Sequence, residues 1–171
     1  MNDKDQFFKF RPVEEANIPL LRKWLKQPHV AQYWQETDDE IKFRHKFLVE
    51  LQQRGVCPYI IFLSNRPIGF IQSYEACKVG GGWWPNEEPG VFGIDQFIGE
   101  PDLVGKGYGT QLIQAFVDRL WTDPKVRQII TDPDPKNGRA IRAYEKVGFI
   151  KEQEITTPGG PAILLRLNRG R

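Results

Sequence analysis

The chain has 171 residues, of which 40% are hydrophobic, 12% aromatic and 27% charged, and this length and composition predict one domain over residues 1–171 with a core of its own. A formal net charge of +2 is too small for the footprint of a nucleic-acid or membrane-surface protein, and no apolar run approaches the roughly 18 residues of a spanning helix. The polar start Met1-Asn2-Asp3-Lys4-Asp5 does not read as a secretory leader, so a cytoplasmic location is expected.

In chain order, Asn17 is placed to cap a helix with Pro19 in its first turn and Leu21, Trp24 and Leu25 on one face, ending near Pro28. Thr37-Asp38-Asp39-Glu40 has capping-box spacing and starts a second helix, so this acidic run is a helix start rather than a cation site. Tyr59–Leu63 and Ile68–Tyr74, parted by Ser64-Asn65-Arg66-Pro67, predict a β-hairpin. Gly80-Gly81-Gly82 opens a long loop before a strand from Val91 to Ile98. Leu112, Phe116 and Leu120 give the next helix its apolar stripe, and Val126–Thr131 predicts a strand. Arg139–Val147 forms a helix closed by Gly148, and Phe149–Ile155 and Ala162–Leu167 form terminal strands around Pro158-Gly159-Gly160-Pro161. The basic end Arg166–Arg171 reads as a solvated tail. Cys57, Cys77, His29 and His45 lack the spacing of a disulfide framework or a zinc site; all four read as structural, and no metal is expected.

Between the Val91–Ile98 strand and the helix after it lies Leu103-Val104-Gly105-Lys106-Gly107-Tyr108-Gly109-Thr110. Spaced glycines let backbone N–H groups approach a phosphate, and a helix N-terminus adds a favourable dipole, so the run reads as an anion cradle. A glycine-rich turn alone is a weak signal. Neither G-x-G-x-x-G in a βαβ unit nor G-x-x-x-x-G-K-[ST] is met, which disfavours a dinucleotide or ATP site.

The spacing instead matches the R/Q-x-x-G-x-G/A signature of GNAT acetyltransferases, with Val104 at the usual Arg or Gln position. Further along, Trp83-Trp84, Gly93-Ile94-Asp95-Gln96, Thr131-Asp132-Pro133-Asp134-Pro135, Asn137 and the run Arg139-Ala140-Ile141-Arg142-Ala143-Tyr144 to Gly148-Phe149 together resemble the aminoglycoside 6′-N-acetyltransferases, over nearly the whole chain. The resemblance implies an α+β (mixed α/β) GNAT fold, a central, mostly antiparallel twisted sheet flanked by helices, acting as a monomer or weak homodimer. It implies acetyl-CoA as co-substrate, no metal, a small-molecule amine of the aminoglycoside class as acceptor, no nucleic acid and no membrane. Backbone groups near Phe97 and Ile98 are implied to bind the acetyl and pantetheine parts, the loop Gly105, Lys106, Gly107, Gly109 and Thr110 the pyrophosphate, and Asn137 the pantetheine arm. An exposed Lys106 that stays hydrated fits the sequence equally well.

An amine can attack a thioester directly, which agrees with a chain whose only serines are Ser64 and Ser73 and which has no G-x-S-x-G. Tyr144 is the candidate acid for the leaving sulfur, although Ile141, Tyr144 and Gly148 share a helical face on which a core tyrosine gives the same spacing. Asp95, flanked by Ile94 and Phe97, needs cationic company or water. The family implies that it contacts the reacting amine and assists deprotonation, and that Asp132 binds another amino group. The bland readings are a strand-end hydrogen bond for Asp95 and turn chemistry before Pro133 for Asp132. Trp83 and Trp84 point to opposite faces in extended chain, so one lines a substrate surface, with Glu87 and Glu88 adding negative charge; a core role stays open for either, and Trp34 carries the same two readings. Gly81 stands where relatives carry an acidic residue, which weakens recognition of a polycation. A siderophore-type lysine side-chain acyltransferase is the alternative enzyme, disfavoured by Asp95 where that family has histidine; a non-catalytic acyl-CoA or drug-binding protein is disfavoured by the presence of both Asp95 and Tyr144.

Overall fold

The computed structural model describes residues 7–170; the start Met1–Asp5 and the terminal Arg171 lie outside them. A seven-stranded sheet runs β1 (Phe8–Pro12), β2 (Cys57–Leu63), β3 (Arg66–Glu75), β4 (Val91–Ile98), β5 (Gln128–Thr131), β7 (Gly160–Asn168), β6 (Ile150–Thr157). Every neighbouring pair is antiparallel except β4 and β5. The hairpin β2–β3 turns through Ser64 at φ +56°. Strand β1, absent from the expected elements, pairs Phe8 with Leu63 through Pro12 with Tyr59; its F-K-F-R-P sequence is short and its proline suits an edge.

One face of the sheet carries α1 (Ile18–Leu25), α2 (Pro28–Ala31), α3 (Glu40–His45), a π-helical turn Lys46–Glu50 and α4 (Leu51–Gln53). Leu21, Trp24, Phe43 and Phe47 pack there on Ile60, Phe70 and Phe97. The other face carries α5 (Tyr108–Leu120) and α6 (Gly138–Val147), whose Leu112, Ile113, Phe116 and Ile141 meet Ile61, Ile71, Ile94 and Ile129. This is alternation at work, since Ile94 and Phe97 leave opposite faces of one strand. Truncating a wholly buried side chain such as Phe116 costs about 3–5 kcal/mol on core-cavity grounds.

Several local expectations shift. Asn17 does not cap α1; its Oδ1 accepts from the Glu14 N–H at 2.7 Å, closing the one-turn helix before it. The cap of α3 is Asp39, which accepts from the Lys42 N–H at 3.0 Å, while Thr37 Oγ1 accepts from the Asp39 N–H at 3.2 Å and bends the entering chain. The basic end is not a tail. Arg166 sits inside β7, where its guanidinium holds Glu87 at 2.7 and 3.1 Å and Glu152 at 2.6 Å. Arg169 donates to the carbonyls of Val126, Trp121 and Asp123 and stacks on Trp121 at 4.9 Å. Both cysteines are free and exposed rather than core residues, and His45 is exposed as well. No helix among the described residues is long and apolar enough to cross a membrane, and none of their His, Cys, Asp and Glu side chains cluster as a metal site.

Candidate active site

The sheet opens between its two parallel strands. Pairing of β4 with β5 lasts from Val91–Gln128 to Gly93–Ile130 and stops, although β4 runs on to Ile98. Two residues beyond the last pair, on the same face of each strand, stand Asp95 and Asp132. The register therefore sets two carboxylates opposite one another at the mouth of the opening. Two cavities lie beside it. The larger, about 560 Å³, lies on the α1–α4 face and reaches Asp95, Asp132, Tyr144 and Trp83; the smaller, about 490 Å³, runs past His29, Phe97, Ile98, Gly105 and Arg139. Trp34, Gln96 and Asn137 line both.

The carboxylates are partly open to the larger cavity but poorly solvated. Burial raises Asp95 above the ordinary carboxylate range, opposed by the amide of Gln72, whose Nε2 donates to Asp95 Oδ2 at 3.0 Å. Asp132 is raised well above that range, by burial first and then by the charge of Asp95. Charge on either carboxylate disfavours charge on the other, so the pair as a unit holds a proton above the ordinary carboxylate range. No basic side chain contributes to either shift, so a bound ammonium would supply the missing cation.

Tyr144 packs as a core residue and also reaches the larger cavity. Its ring is 3% exposed and packs edge-on to Phe149 at 5.3 Å, yet the residue lines the larger cavity with its hydroxyl in hydrogen-bond reach of Thr131 and Gln96. Burial raises its pKa above the phenol range, against the hydrogen bond from Thr131, so the hydroxyl is a protonated donor at neutral pH.

The tryptophan pair divides. Trp83 lines the larger cavity. Trp84 does not: at φ +53° its backbone turns the side chain inward, where it is 8% exposed and its Nε1 donates to the Tyr74 hydroxyl at 3.2 Å. Tyr74 in turn crosses β4 at Gly93, where a Cβ would sit 2.3 Å from its ring, which explains the glycine two residues before Asp95. Trp34 contacts Phe97 at 5.1 Å and Phe70 at 5.8 Å and forms the wall between the cavities. The negative charge expected from Glu87 and Glu88 is not at the site. Glu87 is consumed by Arg166, and neither lines a cavity.

On the smaller cavity's side, Gly105 and Gly107 have φ +75° and +86°, and a Cβ on either would meet no atom within 4 Å. Side chains are excluded here by conformation and by whatever lies against the open backbone. Gly107 is the N-cap of α5, so the N–H groups of Tyr108, Gly109 and Thr110 in the first turn have no helical acceptor behind them. Gly109 serves differently: its Cβ would sit 3.9 Å from Ala143 Cβ, an ordinary contact between α5 and α6. Lys106 is exposed, its charge acting on Asp102. Asn137 lines both cavities, but its Oδ1 also caps α6 by accepting from the Ala140 N–H at 3.2 Å. Phe97 is buried between the aromatic rings of Trp24, Trp34 and Phe70, and the Ile98 carbonyl lies 2.8 Å from His29 Nε2. His29 is thereby part of the smaller cavity's wall.

Gln72, Tyr74, Glu36, Lys46 and Arg54 were not anticipated at the site. Gln72 stands opposite Asp95 in the β3–β4 register, a signal available only once the two strands are paired.

Residues 14–157 match the family described as "Acetyltransferase (GNAT) domain". The aminoglycoside N(6′)-acetyltransferase type 1 of Klebsiella pneumoniae is 42% identical over 161 residues, 91% of this chain and 80% of that protein. A lysine N-acyltransferase, MbtK, of Mycolicibacterium paratuberculosis is 26% identical over 155 residues, 89% of this chain and 70% of its own. Among solved structures, aminoglycoside acetyltransferase AAC(6′)-Ib in complex with coenzyme A and kanamycin superposes with a TM-score of 0.90 at 41% identity, over 95% of each chain.

Proposed function

The chain belongs to the GNAT acetyltransferase family, and we propose that it transfers the acetyl group of acetyl-CoA to the 6′-amino group of an aminoglycoside. The observation that carries this reading is the carboxylate pair Asp95 and Asp132 on the wall of the larger cavity, desolvated and without a cation of its own. An amine that enters as an ammonium supplies that cation.

The smaller cavity takes the donor. Its glycine-lined backbone and the first turn of α5 present N–H groups to a pyrophosphate, and the opening of the sheet leaves room beside β4 for the pantetheine arm. Acetyl-CoA supplies the activated thioester. Asp95 accepts the proton from the ammonium, and the freed amine attacks the carbonyl directly, within a complex holding both substrates. Among the described residues, neither cavity is lined by a serine or cysteine, which fits transfer without an acyl-enzyme. As the C–S bond breaks, the Tyr144 hydroxyl donates to the departing sulfur. Asp132 holds a second amino group of the acceptor.

The test is release of coenzyme A thiol from acetyl-CoA against a 6′-amino aminoglycoside, a 6′-hydroxyl congener and N-hydroxylysine, with the product's acetylated position read by NMR. Turnover confined to the 6′-amino compound, acetylated at that nitrogen, is the expected result. Turnover of N-hydroxylysine alone would transfer the assignment to siderophore-type acylation.

A further inference from the structure

The larger cavity is not uniformly acidic. Two cations line it as well, Lys46 and Arg54, and they differ in company. Lys46 is held by Glu36 at 2.5 Å. Arg54, half-buried at the end of α4, has no carboxylate within ion-pair distance among the described residues. Both arrive from one helical run, in which the π turn Lys46–Glu50 inserts the extra residue that aligns Lys46 with Leu51 five positions on, with Arg54 a turn later on the same cavity wall.

The loop opposite Arg54 supplies no counter-charge. A Cβ at Gly81 would lie 3.5 Å from Arg54 Nη2 and 3.4 Å from Trp83 Cδ1, and one at Gly159 would lie 3.3 Å from Trp83 Cη2. Trp83 is thus flanked by two glycines that bring no charge, and the guanidinium beside it faces the cavity with no carboxylate partner among the described residues. Arg54 enters from the end of α4, whereas Asp95 stands on β4 and Asp132 just past β5, so cation and carboxylates reach the cavity from different elements. The cavity is therefore polarised, acidic at the opening of the sheet and cationic beside Trp83.

Building on the acceptor site described above, we propose that Arg54 is a specificity-determining residue, selecting an amine that presents hydroxyl or carboxylate oxygens on the Trp83 side and discriminating against one that places further ammonium groups there. A guanidinium donates in a fork to such oxygens and repels a second cation in a poorly solvated cavity. The enzyme is thereby tuned to acceptors with few amines.

Ribostamycin and neomycin B test this, since the second adds to the first one ring bearing two amines. Dissociation constants for both are measured by calorimetry on the coenzyme A complex of the wild type, Arg54→Gln, Arg54→Lys and Gly81→Asp. Arg54→Gln is expected to tighten neomycin B by about three- to tenfold and ribostamycin by less than about twofold, with the difference shrinking at high salt. Gly81→Asp, at a φ of +68° that aspartate tolerates, should move the ratio in the same direction by neutralising Arg54. Arg54→Lys should keep the wild-type ratio. A ratio unmoved by both Arg54→Gln and Gly81→Asp overturns the proposal, as does failure of all four proteins to bind either compound. Absence of acetyl transfer to ribostamycin where binding is retained overturns the 6′-acetylation reading instead, and the ratio still decides the role of Arg54.

Discussion

The two cavities that meet at Asn137 and Gln96 are built from different parts of the chain's chemistry. On the proposed assignment, the donor side owes its shape to backbone: two glycines at positive φ, the free N–H groups of the α5 first turn and a strand edge that its neighbour has left. The acceptor side is made by side chains, with Asp95 from β4, Asp132 after β5, Tyr144 from α6, Trp34 after α2, Trp83 from the long loop and Arg54 from α4. A backbone site recognises what all donors share, a pyrophosphate and an amide-bearing arm. A side-chain site changes with every substitution, so selectivity belongs there.

The sharpest way to separate the two is Asp95→Asn. If Asp95 takes the proton from the reacting ammonium, kcat/KM should fall by about 10²–10⁴ while the calorimetric affinity for coenzyme A stays unchanged. Equal loss of donor binding would erase the division of labour. Tyr144→Phe comes next, with single-turnover acetyl transfer slowed by roughly 10² because a thiolate is already a tolerable leaving group. The melting temperature should hold, as the ring contact with Phe149 survives; a rate drop that merely follows lost stability would reduce Tyr144 to a core residue.

On the donor side the expected losses are smaller and lie in binding. Gly107→Val should weaken coenzyme A by roughly 10–100-fold in a folded protein, through the strained φ of +86° and the covered N–H groups. Gly109→Ala, with room for its methyl against Ala143, should change that affinity by less than about twofold. Comparable effects at both positions would mean that helix packing rather than backbone access governs the loop.

The smallest effect concerns stability. Because Asp132 has its folded-state pKa raised by burial and by Asp95, the folded protein binds a proton that the unfolded chain releases, so stability declines as pH rises from the ordinary carboxylate range through the raised value. Asp132→Asn removes that decline and should raise the melting temperature at neutral pH by about 2–4 °C, equivalent to roughly 1 kcal/mol. Thermal melts across pH 5 to 8 check it: a wild-type curve already flat over that window would mean that the pair is solvated. Acceptor KM should rise in the same variant.

Strands β4 and β5, the hairpin β2–β3 and helices α5 and α6 were legible because each carries its own periodicity and stop signal, such as Gly148 at φ +117° closing α6. Strand β1 was not, since five residues at a sheet edge have too little alternation to stand out. The glycine loop, Asp95, Asp132 and Tyr144 stood out as motif positions, and the fold brings the last three to one cavity. Their neighbours were not. Trp84 and Trp83 are indistinguishable until the positive φ of Trp84 sends one inward, and Glu87 looks like a free acid until Arg166 meets it from across the sheet.

By itself the sequence determined what depends on near neighbours along the chain: helix faces and the glycine-bearing turn into α5, because hydrogen bonding and steric freedom over a few residues settle them. The tertiary structure alone decided which charges survive in the site. Arg166 and Glu87 are 79 residues apart and cancel, Asp95 of β4 and Asp132 just past β5 come close enough to shift one another's pKa, and Arg54 faces a glycine loop with no carboxylate partner among the described residues. A charge has meaning only through its surroundings, since solvation and Coulomb energy depend on distance in space, which no local pattern encodes.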